Sequence, residues 1–207
     1  VRVVLAREDV VRLGPKRPPI AAGLRADGTG VVRVARTPGI VAAIHAVLPD
    51  VAVEEVDVIG PVTSLDIRAA GTAEAQVLKA ALVQSATVGG ATASIDDDGI
   101  HVTVNAGAPL DEIVLRSYCI GAAHMALGWV RSEGLAVDED GVPQDLTIRS
   151  FGVLRAVDTP PIHVTIEPST DEPVNVSDDV FAAVAAAVWQ ADSYATEWPT
   201  RRGVGVG

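Results

Sequence analysis

Cysteine occurs once in the 207 residues, at Cys119, so no internal disulfide framework can form. By itself it also supplies neither a cysteine-rich zinc site nor an iron–sulfur cluster. Aromatic residues make up only 3% of the chain, which leaves the core to Val, Ala, Leu and Ile and argues against a stacking platform for single-stranded nucleic acid. Basic residues are outnumbered, 16 against 27 acidic ones, for a formal net charge of −11. That balance opposes a phosphate-backbone partner, so no nucleic acid is expected. No apolar run reaches the roughly 18 residues of a membrane-spanning helix, and no basic-then-apolar signal segment opens the chain. The expectation is no membrane and a cytoplasmic location. G-x-G-x-x-G and Walker spacings are missing too, which removes the common nucleotide fingerprints.

What is present is a folding composition, 48% apolar against 21% charged. Val1–Leu5 reads as a buried strand, and a chain that opens on Val1 reads as processed or as a piece of something longer. Ile20–Arg25 and Val31–Ala35, on either side of Asp27-Gly28, read as a hairpin. Ile40, Val41, Ile44, Val47 and Leu48 have helical spacing, with Thr37 placed to cap. Val51–Val58 suggests a strand, Thr63–Gly71 a loop and Ala73–Val83 a helix. Ser85–Ala91 reads as a small-residue linker between two lobes. Beyond it, Ala93–Ile95 and Ile100–Val104 flank an acidic turn, and Ile113–Val130 is one long helix with Pro109 and Asp111 near its start. Leu135–Val137 and Leu146–Ile148 read as a further hairpin, Ile162–Ile166 as a strand, and Asp178–Gln190 as an Ala-rich amphipathic helix capped by Ser177. The class is α+β, with hairpin-rich mixed sheets and three main helices. The lobes are 1–84 and 93–191, followed by a loose tail at 192–207.

Little of this carries chemistry on its own. His45, His101, His124 and His163 are scattered, none at the i, i+3 or i+4 spacing that puts two imidazoles on one helical face, so no metal site is read from them. Asp96-Asp97-Asp98-Gly99 lacks the alternating ligands and distal glutamate of a calcium loop and reads as an acidic turn. Cys119 has no neighbouring base and reads as a small buried residue. Gly121 stands apart, because a glycine inside a helix costs about 1 kcal/mol relative to alanine. Either another backbone packs closely there or something large lies across that face.

Three stretches resemble one family. VRVVLAREDVVRLGPKRPP with ADGTGVV, the segment IRAAG at Ile67–Gly71, and above all GAAHMALGWVRSEGLAVDEDG with LTIRSFGVLRAVDTPPIHV resemble the molybdenum-binding large subunit of the xanthine dehydrogenase / aldehyde oxidase / carbon monoxide dehydrogenase family. Val180–Val188 is similar to that family's terminal helix. The resemblance implies part of a molybdopterin-binding α+β fold, with molybdopterin as cofactor and hydroxylation of a heterocycle or aldehyde as activity. It also implies partner chains carrying iron–sulfur and flavin centres, or a homo-oligomer. Residue by residue, it assigns Arg68 to the substrate pocket and Gly121, Ala122 and Ala123 to a helix start that approaches the pterin. Met125 and Tyr118 stand where the family has glutamines, and a thioether lacks an amide's donor–acceptor pair. The family's catalytic glutamate falls near Glu172, although ungapped counting from the last helix reaches Val174. The glycine-rich cofactor loop has no counterpart in the chain. The resemblance therefore leaves two readings: an oxidoreductase component that works with partners, or a non-catalytic relic acting in assembly, as cofactor chaperone or as subunit bridge. A small-molecule binding domain unrelated to the family is the third.

Overall fold

The computed structural model describes residues 2–5, 20–25, 27–57, 72–134, 136–137, 143–144, 147–195 and 198–201. Alternation of period two builds the first sheet. Val32 and Val34 of β3 (Gly30–Ala35) are fully buried while Val31 and Arg33, which alternate with them, face outward. β3 pairs antiparallel with β2 (Ile20–Leu24), which pairs antiparallel with β1 (Arg2–Leu5). On its other side β3 runs parallel to β4 (Val51–Val56), and α1 (Ile40–Val47) makes the crossover. The register sets Arg33 opposite Glu54, and their side chains meet at 3.0 Å. Ile40 and Ile44 of α1 enter the same core as Val32, Val34 and Val51. Thr37 does not cap this helix: its hydroxyl turns back to the Ala35 carbonyl at 3.2 Å, and Gly39 occupies the cap position without a side-chain bond.

The second sheet has the order β10-β7-β6-β5. β5 (Thr87–Val88), β6 (Ala91–Asp96) and β7 (Gly99–Val104) form an antiparallel meander, and β10 (Ile162–Ile166) adds parallel to β7. Ser85–Ala91 is thus no free linker, since Thr87 and Val88 pair with Thr92 and Ala91 across a turn. Asp179 accepts from the Gly90 amide at 3.0 Å and ties that turn down.

α5 (Ser177–Ala191) is the hub. Residues Ala182 to Trp189 are all buried, so the helix is enclosed on every side rather than amphipathic. It packs against α3 (Glu112–Arg131), α2 (Thr72–Val83) and β6, and its alanines allow close approach of those neighbours. Ser177 is its first helical residue rather than its cap; the cap position is Val176, with no side-chain bond. In α3 the expected start holds, as the Asp111 carboxylate accepts from the amides of Ile113 and Val114 at 2.8 and 3.0 Å. By length and composition α3 could cross a membrane, yet Cys119, Ala122, Ala123, Ala126, Leu127 and Val130 are buried inside the fold. Arg116 further binds α3 to β10 by donating to the Val164 carbonyl.

Two short strands, β8 (Ala136–Val137) and β9 (Pro143–Gln144), form the remaining ladder. Ile148 does not extend that hairpin but opens α4 (Ile148–Phe151), because Thr147 and Ser150 form a reciprocal capping box. The architecture is α+β, with mixed sheets and, among the described residues, five α-helices of which α2, α3 and α5 are the three main ones. Nor is the stretch after Asp192 loose where it is described. The Thr200 and Arg201 amides donate to the Val130 and Arg131 carbonyls at the end of α3, and Trp198 lies between Trp129 and Trp189. Thr63–Gly71, which contains Arg68, and the segment Arg7–Arg17 fall outside the described residues.

Candidate functional site

The residues carried over from the family resemblance divide by the face of α3 on which they sit. Ala122 and Ala123 point into the core, as do Cys119, Ala126 and Leu127. Gly121 is on the opposite side, and a Cβ built there would meet nothing within 4 Å. Close backbone packing is therefore not the reason for this glycine. Around it runs a row of exposed apolar side chains: Leu110 (96% exposed), Ile113 (82%), Val114, Tyr118 (65%) and Met125 (56%). Val114, Tyr118, Gly121 and Met125 follow at spacings of four, three and four, which puts them on one stripe of the helix, with Ile113 at its edge and Leu110 just before the helix begins.

Gly121→Ala removes a helix-interior glycine without creating a contact, so it is expected to raise stability by up to about 1 kcal/mol. In a chain of this size that is an increase of about 2–4 °C in Tm. A lower Tm in a thermal melt would mean that the site is crowded after all.

His124 is half-buried, with Nδ1 2.9 Å from the Thr159 hydroxyl. Burial pushes the Cys119 thiol up, and nearby Arg116 opposes this only in part, so the thiolate a nucleophile requires is disfavoured. Glu172 is exposed on the segment between β10 and α5. That segment is clamped to the chain leading into α3: the Ala108 amide donates to the Asp171 carbonyl at 2.8 Å, and the Val174 amide to Ala106 at 3.0 Å. Glu172 thus stands by the beginning of α3, whereas Gly121 lies nine residues beyond Glu112, about 13 Å of helix rise. No described side chain hydrogen-bonds the Glu172 carboxylate, and Val174 beside it is exposed as well. Arg68 lies outside the described residues.

A pterin presents a row of hydrogen-bond donors and acceptors and demands the same of its cradle. The exposed face of α3 offers a phenol at Tyr118 and a thioether at Met125, while Ala122 and Ala123 are turned away into the core. These residues do not fit the cofactor that the resemblance implies, and no catalytic step is derived through it.

Comparison with known proteins adds resemblance at the level of fold. No family model matches the sequence, and no curated protein is significantly similar to it. Among solved structures, quinoline 2-oxidoreductase from Pseudomonas putida 86 superposes with a TM-score of 0.45 at 10% identity, covering 97% of this chain and 39% of that one. CO dehydrogenase from Oligotropha carboxidovorans gives 0.43 at 11% identity, covering 87% and 35%. A Cu,Mo-CO dehydrogenase in its carbon monoxide reduced state gives 0.43 at 11% identity, covering 91% and 37%. The chain spans less than two fifths of the length of each.

One juxtaposition escapes any reading by spacing. His101 and His163, on different strands, stand side by side in the second sheet. The only sequence signal available for it is that both are the second residue of alternating strand segments, IHVTV and IHVTI, which are nearly identical.

Proposed function

We propose that this chain is a structural component of a molybdenum-hydroxylase-type oxidoreductase, a bridging subunit that acts in the cytoplasm and docks through α3 onto partner chains holding the redox centres. The single observation that supports this is the unpartnered apolar stripe Leu110–Ile113–Val114–Tyr118–Met125 around an open Gly121. A helix whose opposite face is fully buried has no internal reason to expose large apolar side chains in register, and such stripes mark interaction surfaces. The resemblance of Gly121–Val164 to the family's large subunit names the kind of partner. The missing glutamines and glycine-rich loop favour bridging over catalysis by this chain alone.

The experiment is co-expression with chains that carry iron–sulfur, flavin and pterin centres, in a host that makes the molybdenum cofactor. The expected result is a stoichiometric complex that contains molybdenum, while the chain purified alone contains none. Ile113→Asp combined with Met125→Glu is expected to abolish complex formation and leave Tm unchanged. Stoichiometric molybdenum and pterin in the lone chain would overturn the bridging role, and make Glu172→Gln the next variant to assay. A chain that stays monomeric beside all such partners would overturn the assembly reading altogether.

A further inference from the structure

We propose that Asp98, His101 and His163 form a binding site for one divalent transition-metal ion of the zinc class, with Asp96 as its positioning residue. Parallel pairing of β7 and β10 sets His163 directly opposite His101. Their rings stack with centroids 4.8 Å apart and planes 18° from parallel. One ring nitrogen from each and a carboxylate oxygen of Asp98 lie within 4.8 Å of one another. Among them, His163 Nε2 stands 3.6 Å from Asp98 Oδ2. Two ligands of a tetrahedral ion, each about 2.0–2.1 Å from it, stand about 3.4 Å apart. The two stacked rings must turn toward each other to close the set around an ion, and their exposed setting leaves those torsions free.

The backbone preorganises this corner. Gly99 has φ +139°, and a Cβ there would come 2.3 Å from the Pro161 carbonyl oxygen. The Ile100 amide donates to that same oxygen at 2.9 Å. The acidic turn is thereby pressed against the start of β10, which brings Asp98 to His163. Asp96 Oδ1 lies 3.1 Å from His101 Nε2 and also accepts from the Asp98 amide at 2.9 Å. A carboxylate on an imidazole is the arrangement that fixes a ligating ring and raises its basicity. All four side chains are substantially exposed, so neither histidine is explained as a satisfied core residue.

Two imidazoles and one carboxylate suit Zn²⁺, Co²⁺ or Ni²⁺, whereas Mg²⁺ and Ca²⁺ take oxygen ligands. Three protein ligands leave a position for water or for a group from another molecule. The bound ion staples edge strand β10 to the β6–β7 turn, so it stabilises the fold in proportion to its concentration. None of this rests on the bridging role proposed above.

The test uses the full chain stripped of metal, titrated with zinc chloride by calorimetry and with cobalt chloride by visible absorption, with Tm recorded alongside. One ion per chain is expected, with Tm rising as zinc increases and magnesium failing to compete. His101→Asn or His163→Asn should weaken binding at least tenfold, and Asp96→Asn about tenfold although every ligand remains. His45→Asn and His124→Asn should bind as the parent does. Should a strand variant fail to fold, Asp98→Asn on the exposed turn carries the same prediction. Absence of saturable binding at millimolar zinc overturns the site. So does undiminished binding by a folded His101→Asn/His163→Asn double variant.

Discussion

Asp192→Ala is expected to lower stability by about 3 kcal/mol, the lower end of the cost of breaking a buried ion pair, because the Arg131 it strands is partly rather than fully buried. The Asp192 side chain is only 6% exposed. Arg131 grips it with both ends of its guanidinium, Nε and Nη2, at 3.1 and 3.0 Å. The Thr200 hydroxyl donates at 2.6 Å and Arg201 at 2.9 Å. Burial alone would raise the pKa of this carboxyl, but the Arg131 fork, then Thr200 and Arg201, more than offset it and hold it below the ordinary carboxylate range. A depressed folded pKa fixes the sign of the pH dependence. The contribution is complete above the unfolded value, about pH 4, and is lost as pH falls through the folded one. Urea titrations of the parent and Asp192→Asn should therefore differ at neutral pH and converge on acidification. The exposed Arg155–Asp158 pair is the control, since surface ion pairs are worth about 0–1 kcal/mol and Asp158→Asn should barely move the midpoint. An Asp192→Asn midpoint equal to the parent's at neutral pH would mean that the network is ornamental.

That network illustrates where reading by residue pattern stops. The Asp111 cap, the span of α3 and strand β10 were legible because each is set by neighbours in the chain: a carboxylate two and three residues before free amides, or apolar residues at a fixed period. Asp192 and Arg131 are 61 residues apart, and nothing local reveals that they meet. The same holds for His101 and His163, which a parallel register joins although each is unremarkable in its own strand. α5 shows a subtler limit. Its alanines read as amphipathic, but alanine is small enough to be enclosed on every side, and periodicity does not distinguish one buried face from three. At the candidate site, resemblance located Gly121, Ala122, Ala123 and Met125 on one helix without saying which faced outward. The structure divides them, two in the core and two on the open face.

The second large effect expected is at Trp189, where alanine should cost about 3–5 kcal/mol. Against the roughly 5–15 kcal/mol total of a typical domain, that is a large share of the stability. The chain has seven aromatic Trp, Tyr and Phe residues, and five of them meet here. Trp189 is fully buried, edge-on to both Tyr194 and Trp198 at 5.5 Å, and its Nε1 donates to the Ala195 carbonyl at 2.8 Å. Trp189→Phe keeps most of the packing but leaves the Ala195 carbonyl without its donor, for an expected loss of about 1–3 kcal/mol. Trp198→Phe should cost less, because the Trp198 indole nitrogen is buried with no partner among the described residues. Chemical denaturation followed by far-UV dichroism ranks the three, and a Trp198→Phe more damaging than Trp189→Phe would contradict the assignment. Trp189 holds Ala195 and Trp198, and Asp192 ties Thr200 and Arg201 to Arg131 of α3, so both secure the chain that follows α5. Once one is lost the other has less to anchor, so the Trp189→Ala/Asp192→Ala double variant should lose less than the sum of the singles. Strict additivity would mean instead that the aromatic cluster and the ion-pair network stabilise separate parts of the fold.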